Sequence, residues 1–367
     1  MSKHNLHPIV WLTFLLLIVG MFFLFSASSV IGLERFGSPW FFMKKQFFGI
    51  LVGLFCFFVL TKFKRFSYLK LKKLSLFFLI LNLVLLVLCF IPQLRLSGAT
   101  ASRWINLPGF TLQPSEFLKI SLIMFLASFL ASRSKSDIQS VKKTLIPYLI
   151  FIGIVAIPVF LQPSTSILFI LCIACFIMYF CANTPLSHTL ILIGLGVACI
   201  VGLLVFTGDS YRGRRIQAFF NKDTSKLREI DQLKQSEITL GSGGLFGVGY
   251  NKSSQKYYYL AESYTDSIFA IIGEETGFVG AISISFLYLM FFWYGISIAK
   301  RAYDTYGAYL AIGITSAISI QAFCHIFSVC GLIPTTGIPL PFISYGASSI
   351  VACLIGVGLL QNIYTNH

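Results

Sequence analysis

Ten stretches of this chain are apolar over lengths suited to crossing a bilayer: residues 9–30, 46–61, 74–91, 114–131, 144–161, 164–182, 188–206, 266–299, 307–330 and 347–364. A helix that crosses the hydrocarbon core needs ~20 mostly apolar residues. Backbone in lipid must satisfy its own hydrogen bonds, so such runs take the form of helices. The pattern predicts an all-α, polytopic membrane protein of about ten transmembrane helices, with residues 1–367 forming one integral membrane domain. Composition agrees, since 56% of residues are hydrophobic and only 11% charged, whereas a soluble chain is about a quarter charged. With 38 Phe and 16 Tyr, disorder is excluded. The first run is too long for a signal-peptide core and another follows closely, so it reads as retained.

The net charge of +15 would suggest nucleic acid in a soluble protein. Here the excess falls in short loops, and no basic stripe lies on a water-soluble face. Basic residues in short loops mark the cytoplasmic side. With both termini inside, the cytoplasmic segments hold Lys3, Lys62, Lys64, Arg65, Lys70, Lys72, Lys73, Arg133, Lys135, Lys142, Lys143, Lys300 and Arg301. The short outer loops hold only Arg35, Lys44, Lys45, Arg95 and Arg103. The expectation is a multi-pass protein of the cytoplasmic (inner) membrane, with its N- and C-termini cytoplasmic. One large extracytoplasmic loop, about 207–265, carries nine of the 28 basic and six of the 13 acidic residues. Within it, Ile216, Phe219, Phe220, Ile230 and Leu233 are spaced as on an amphipathic helix at the membrane surface; an ordinary solvated loop fits as well.

Ionisable groups at membrane depth are costly and mark candidate sites. Glu116 and Lys119 open the fourth span behind Pro114. Three residues apart, they share a helix face and can pair, either for function or to fix packing. Asp266 begins the eighth span, with Glu262, Glu274 and Glu275 nearby. Its position before an apolar run suits a helix cap. A low dielectric there would instead raise its basicity toward that of a general base. Spacing alone favours the cap. Cys172 and Cys175 match C-x-x-C, but they lie mid-span without the context of a redox or zinc motif. Most of the other seven Cys lie in apolar runs, as small hydrophobes do.

The stretch GSGGLFGVG at 241–249 lacks the ending of a nucleotide-binding loop. It reads as a tight turn re-entering the membrane edge, with backbone N–H groups that could contact a lipid phosphate. Residues 332–349 hold three Pro and two Gly between two spans. Irregular backbone at this depth is tolerated when it is buried in protein or lines a wet cavity, so this segment is expected in a cavity wall.

Taken together, ASRW at 101–104, QPSE at 113–116 with Lys119, the glycine stretch, TDSIFAIIGEE at 265–275 and the 332–349 segment resemble the SEDS family (shape, elongation, division and sporulation), whose members include FtsW, RodA and SpoVE. The resemblance covers nearly the whole chain, and residues 272–275 and 334–344 look more like the FtsW/SpoVE branch. It implies a peptidoglycan glycosyltransferase acting on lipid II and the nascent glycan, with a class B penicillin-binding protein and other divisome proteins as partners. The family's essential Asp falls on Asp266, and its fourth-helix Glu and Lys on Glu116 and Lys119. With the resemblance counted, the general-base reading of Asp266 overtakes the cap. The sequence departs from the family pattern at Ser164, where an acid is usual, at Ala347 in place of Gly, and at Tyr264 in place of His.

The implied reaction needs no ATP, because a diphosphate leaving group is already activated. A weakly nucleophilic sugar hydroxyl needs a base, assigned to Asp266. The departing diphosphate needs cations, for which Arg103, Lys119, Arg212, Arg214 and Arg215 are candidates, with Glu116 orienting Lys119. No metal-ligand cluster is evident, and the need for a divalent cation is left open. The alternatives are a lipid II flippase, an elongation (RodA-type) rather than division role, and a non-catalytic scaffold for a transpeptidase. A flippase should show repeat symmetry and a mid-membrane acid.

Overall fold

The computed structural model describes residues 6–63, 66–91, 93, 103–107, 110–162, 164–206, 219, 228–256 and 263–366. Helix α1 is Pro8–Phe36, α2 Phe41–Lys62, α3 Tyr68–Leu88 and α4 Pro114–Ala131. A short helix α5 (Lys135–Ile138) and a π-turn (Val141–Leu145) lead into α6 (Ile146–Leu161). There follow α7 (Thr165–Cys181), α8 (Leu186–Phe206), α9 (Arg228–Ser242), α10 (Ile268–Lys300), α11 (Thr305–Val329) and α12 (Ala347–Thr365). Among the described residues, eight apolar stretches, the π-turn with α6 counted as one, are long enough to cross a membrane, and α7 and part of α8 add two shorter apolar helices. The chain is a multi-pass, all-α membrane protein, and each of the ten expected spans coincides with a helix.

Both ends of the chain lie at one end of the bundle, because the His7 N–H donates to Gln361 Oε1 at 2.9 Å. The connections α1–α2, α3–α4, α6–α7 and α11–α12 therefore lie at the opposite, far end. Between α3 and α4, the strands β1 (Ile105–Leu107) and β2 (Phe110–Leu112) form an antiparallel hairpin with Ile105 opposite Leu112. Helix α3 begins at Tyr68 rather than near residue 74, so Lys70, Lys72 and Lys73 ride on its first turns instead of in a loop.

Helices α4, α11 and α12 form the buried centre. Small residues let backbones approach closely around it. Gly49 of α2 lies on Ala347 and Gly53 on Leu354, while Gly20 of α1 lies against Phe342 and Ile343. Helix α8 behaves differently. From Ile193 to Cys199 every side chain position is exposed, so this helix stands off the bundle.

The eighth span is two pieces. Gly277, at φ 69° and ψ −168°, interrupts α10. The 23 residues beyond it are about 35 Å long, enough for a bilayer, and they begin with the exposed Phe278 and Val279. The nine residues before it, starting at Ile268, are buried almost throughout. They form a half-helix enclosed by protein.

Candidate functional site

The glycine-rich stretch docks on that half-helix. Val248 N donates to Glu274 O at 2.9 Å and Gly249 N to Glu275 O at 3.1 Å. In return Phe278 N donates to Gly244 O and Val279 N to Leu245 O, at 2.9 and 3.2 Å. A Cβ at Gly243, Gly247 or Gly277 would overlap the facing backbone. The expected tight turn is present. The N–H groups of Gly247, Val248 and Gly249 are already taken by carbonyls, so they do not form the lipid-phosphate cradle that a glycine-rich turn suggested. Helix α9 packs on α10 and buries Leu233, Ser236 and Thr239 against protein, rather than lying with an apolar face on the membrane. Phe219 is half-buried and helical, whereas Ile216 and Phe220 lie outside the described residues.

Behind the turn sits a buried polar cluster that sequence reasoning missed. Lys256 Nζ donates to Asn251 O at 2.7 Å and to Ser26 Oγ at 3.3 Å, and lies 3.7 Å from Glu275 Oε1. Ser26 also donates to Glu275. Glu274 accepts from Ser253 Oγ and from Ser254 N, the latter at 3.0 Å. Lys256, Glu274 and Glu275 are almost wholly buried. A lysine in a long polar loop carries no sequence signal for this place. Only the oddity of two adjacent acids in an apolar run pointed here, and Glu262 lies outside the described residues.

Asp266 lies just ahead of the half-helix and is half-buried. The cap position belongs to Ser267, not to Asp266, so the cap reading does not hold as stated. The two residues before Asp266 are fixed by the 332–346 segment: Tyr345 N donates to Tyr264 O at 3.0 Å, and Ser344 Oγ to Thr265 O at 2.7 Å. Burial raises the Tyr345 phenol above its ordinary pKa, so it stays neutral. Phe42 packs on both Tyr264 and Tyr345, with ring centroids 4.4 and 5.1 Å apart.

Glu116 and Lys119 pair as their spacing predicts, with Oε2 and Nζ 2.8 Å apart. Both are buried. Lys119 also donates to Gln321 of α11, whose Nε2 donates to Pro339 O at 2.9 Å. One turn on, His325 Nδ1 lies 2.7 Å from Ile338 O, a placement that makes it the donor. The ion pair thus braces the same 332–346 segment from within the bundle and meets protein groups rather than an open surface. Gln321 and His325 were not singled out from sequence. Their only mark there is polarity inside an apolar span.

Arg103 is half-buried near the far end, and its Nε donates to Gln162 O at the end of α6, at 3.1 Å. Ser164, in the place of the usual family acid, is buried, and its hydroxyl donates to Gln162 O at 3.3 Å. Arg212, Arg214 and Arg215 lie outside the described residues. None of the nine cysteines is paired, and no cluster of three or more metal-ligating side chains occurs among the described residues. The arrangement places the half-buried Asp266 at the far end of the bundle, beside backbone braced by a loop that an internal ion pair supports.

Comparison with known proteins places this arrangement. Residues 7–367 match the FtsW/RodA/SpoVE family of cell cycle proteins. The chain is 37% identical to stage V sporulation protein E of Bacillus subtilis, over 97% of this chain and 95% of that protein. It is 35% identical to the probable peptidoglycan glycosyltransferase FtsW of Geobacter sp., over 94% and 93%. Two solved structures share the fold. One is the rod shape determining protein RodA of Thermus thermophilus, with a TM-score of 0.72 and 23% identity over 99% and 98% of the two chains. The other is a chain of a peptidoglycan synthase complex, with a TM-score of 0.79 and 22% identity over 98% and 97%. The chain therefore belongs to the FtsW/RodA/SpoVE family of membrane proteins.

Proposed function

We propose that this protein is a peptidoglycan glycosyltransferase that polymerises lipid II at the outer face of the cytoplasmic membrane, with Asp266 as general base. The observation that carries the reading is the half-buried Asp266 on a braced backbone, at the end of the bundle away from both termini. A carboxylate there can reach a hydroxyl presented from the membrane surface. The relatives' names, probable peptidoglycan glycosyltransferase FtsW, support the same chemistry.

In the step, the 4-hydroxyl oxygen of one saccharide attacks the anomeric carbon of the other, and Asp266 takes the hydroxyl proton. The bond between that carbon and the diphosphate oxygen breaks, and its electron pair leaves with undecaprenyl diphosphate. Cations facing the diphosphate stabilise the charge that gathers there. Arg103, near the far end, is one candidate, and Arg212, Arg214 and Arg215 are the others. Glu116 and Lys119, enclosed as they are, support the site through Gln321 and the 332–346 segment rather than by touching the diphosphate. The exposed face of α8 leaves lipid access along the bundle for a prenyl tail. The enclosed ion pair favours a polymerase over a flippase, whose central charges must meet the passing headgroup. The FtsW and SpoVE names favour division or sporulation over elongation. A class B penicillin-binding protein is the partner we assign, in keeping with the peptidoglycan synthase complex among the structural neighbours. Residues 1–367 act as one membrane domain, with both termini cytoplasmic.

The test is polymerisation of labelled lipid II by the full chain together with a partner that has transpeptidase activity only. Glycan strands should form, and Asp266→Ala should reduce the rate at least ~100-fold, as expected for loss of a general base. Polymer at the wild-type rate from Asp266→Ala removes the base assignment. Movement of intact lipid II across vesicles with no polymer made establishes the flippase instead.

A further inference from the structure

We propose that Ser344, clamped by Gln46, is the positioning residue for Asp266. The inference rests on the reading of Asp266 as the base and goes beyond it, because neither residue carries chemistry of its own.

The Ser344 hydroxyl makes two hydrogen bonds in opposite senses. It accepts from Leu340 N at 2.8 Å and donates to Thr265 O at 2.7 Å. The first ties it across its own turn, and the second reaches the peptide that leads directly into Asp266. Its neighbour Tyr345 donates from its backbone N to Tyr264 O at 3.0 Å. Ser344 and Tyr345 therefore hold Tyr264 and Thr265 as a two-residue brace. The brace is in turn held from its other side. Gln46 of α2 donates from Nε2 to Ser344 O at 2.9 Å and accepts at Oε1 from Gly346 N at 3.0 Å. Its amide grips the backbone on both sides of Tyr345. Gln46 and Ser344 are 1% and 2% exposed, so water does not compete for these bonds. On the far side of Asp266, Ser267 is buried and the half-helix that follows is enclosed. With both flanks fixed, the peptide that carries the carboxylate is held in place.

Proton abstraction in the transition state requires heavy-atom separations near hydrogen-bond length, and a misplacement of about 1 Å can cost about 100-fold. A brace that sets this distance acts on the chemical step. It does not act on substrate binding, since Ser344 and Gln46 are sealed from the surface. Loss of the brace therefore lowers kcat and leaves KM in place, and thermal unfolding of the same sample separates this from a mere loss of folded enzyme.

The experiment measures kcat and KM for lipid II polymerisation by the full chain with its transpeptidase-only partner, alongside thermal unfolding of each purified variant in detergent. Ser344→Ala should lower kcat about 10- to 100-fold with KM within about twofold of wild type. Ser344→Thr, which keeps the hydroxyl, should recover most of the loss. Ser28 is the control: it is equally buried and donates to Leu24 O at 2.6 Å, and Ser28→Ala should leave kcat unchanged. If Ser344→Ala does not fold, Gln46→Glu decides. It keeps an acceptor for Gly346 N and loses the donor to Ser344 O, so the same split should follow in milder form. Wild-type kcat in a folded Ser344→Ala or Gln46→Glu overturns the inference while leaving the polymerase reading intact. A loss carried by KM overturns it too and makes these residues part of substrate binding. A wild-type chain that makes no polymer overturns the reading of Asp266, and the inference falls with it.

Discussion

Glycine does opposite work in two regions of this molecule. At the junction of the tight turn and the half-helix, Gly243, Gly247, Gly273 and Gly277 sit where a methyl group would strike a neighbour, and Gly247 and Gly277 also have positive φ. In α8, Gly194, Gly196 and Gly202 have nothing within 4 Å of the place a Cβ would occupy. Gly243, Gly247 and Gly277 are required because two stretches of backbone touch, and Gly273 because the Leu240 side chain lies on it. The second set fills a helix that meets little protein. The junction is also where charge is buried, in the Lys256–Glu275 pair, whereas the exposed span 193–199 of α8 carries none. The region next to the candidate site is over-determined, and α8 is under-packed. The proposed reaction needs a carboxylate held to within an ångström, which suits the first, and room for a prenyl chain, which suits the second.

The hardest blow to this contrast should come at Gly277. Alanine there meets a backbone conformation open essentially to glycine only, at about 1–3 kcal/mol, and must also displace Leu245 and Gly247, which adds overpacking of similar size. We expect Gly277→Ala to lose on the order of 5 kcal/mol, seen as failure to purify as a monodisperse species in detergent or as a collapse in unfolding temperature. Wild-type stability in this variant would mean that the half-helix and the turn separate freely, and the junction would no longer count as rigid.

The buried lysine comes next. Lys256→Met leaves Glu275, one of whose carboxylate oxygens already lacks a partner, enclosed beside Glu274 without its lysine. Breaking a buried pair from one side costs about 3–5 kcal/mol, while replacing both partners is often close to neutral. Lys256→Met alone should therefore unfold well below wild type, and Lys256→Met with Glu275→Gln should recover most of the difference. If the two changes simply add, the residues are not coupled and the cluster is not what holds the turn.

The buried pairs Glu116–Lys119 and Lys256–Glu275 show what could be read from the chain and what could not. Glu116 and Lys119 lie three apart on one helix, and local geometry was enough to predict that they meet. Their third partner, Gln321, is 202 positions away, and no periodicity encodes such a contact. Lys256 and Glu275 belong to a loop and to a helix interrupted between them and the membrane. The unbroken apolar run 266–299 hid the interruption, since hydropathy registers composition and not φ. The ten spans were legible for the opposite reason: a bilayer imposes length and polarity on each segment separately. Asp266 was legible as a candidate because it stands at a polarity boundary. The brace that holds it was not. Gln46 is one polar residue near the start of an apolar helix, and Ser344 is one hydroxyl in a proline-rich stretch. Each gains meaning only once three distant segments are assembled.

The smallest effect should fall in α8, and it tests the other half of the contrast. Alanine is favoured over glycine inside a helix by up to about 1 kcal/mol, and at Gly196 the added methyl meets open space. Gly196→Ala should therefore leave unfolding in detergent unchanged or raise it slightly, by about one or two degrees, with polymerisation unaffected. The opposite sign would carry more information than the expected one. A clear loss of stability in the isolated chain would mean that α8 packs closely against the bundle in solution. A loss of activity confined to the complex with the transpeptidase would mean that the partner, or the lipid substrate, seats itself against this glycine. In either case the open flank would be an occupied surface, and the distinction between a rigid site and a loose neighbour would have to be redrawn around whatever covers it.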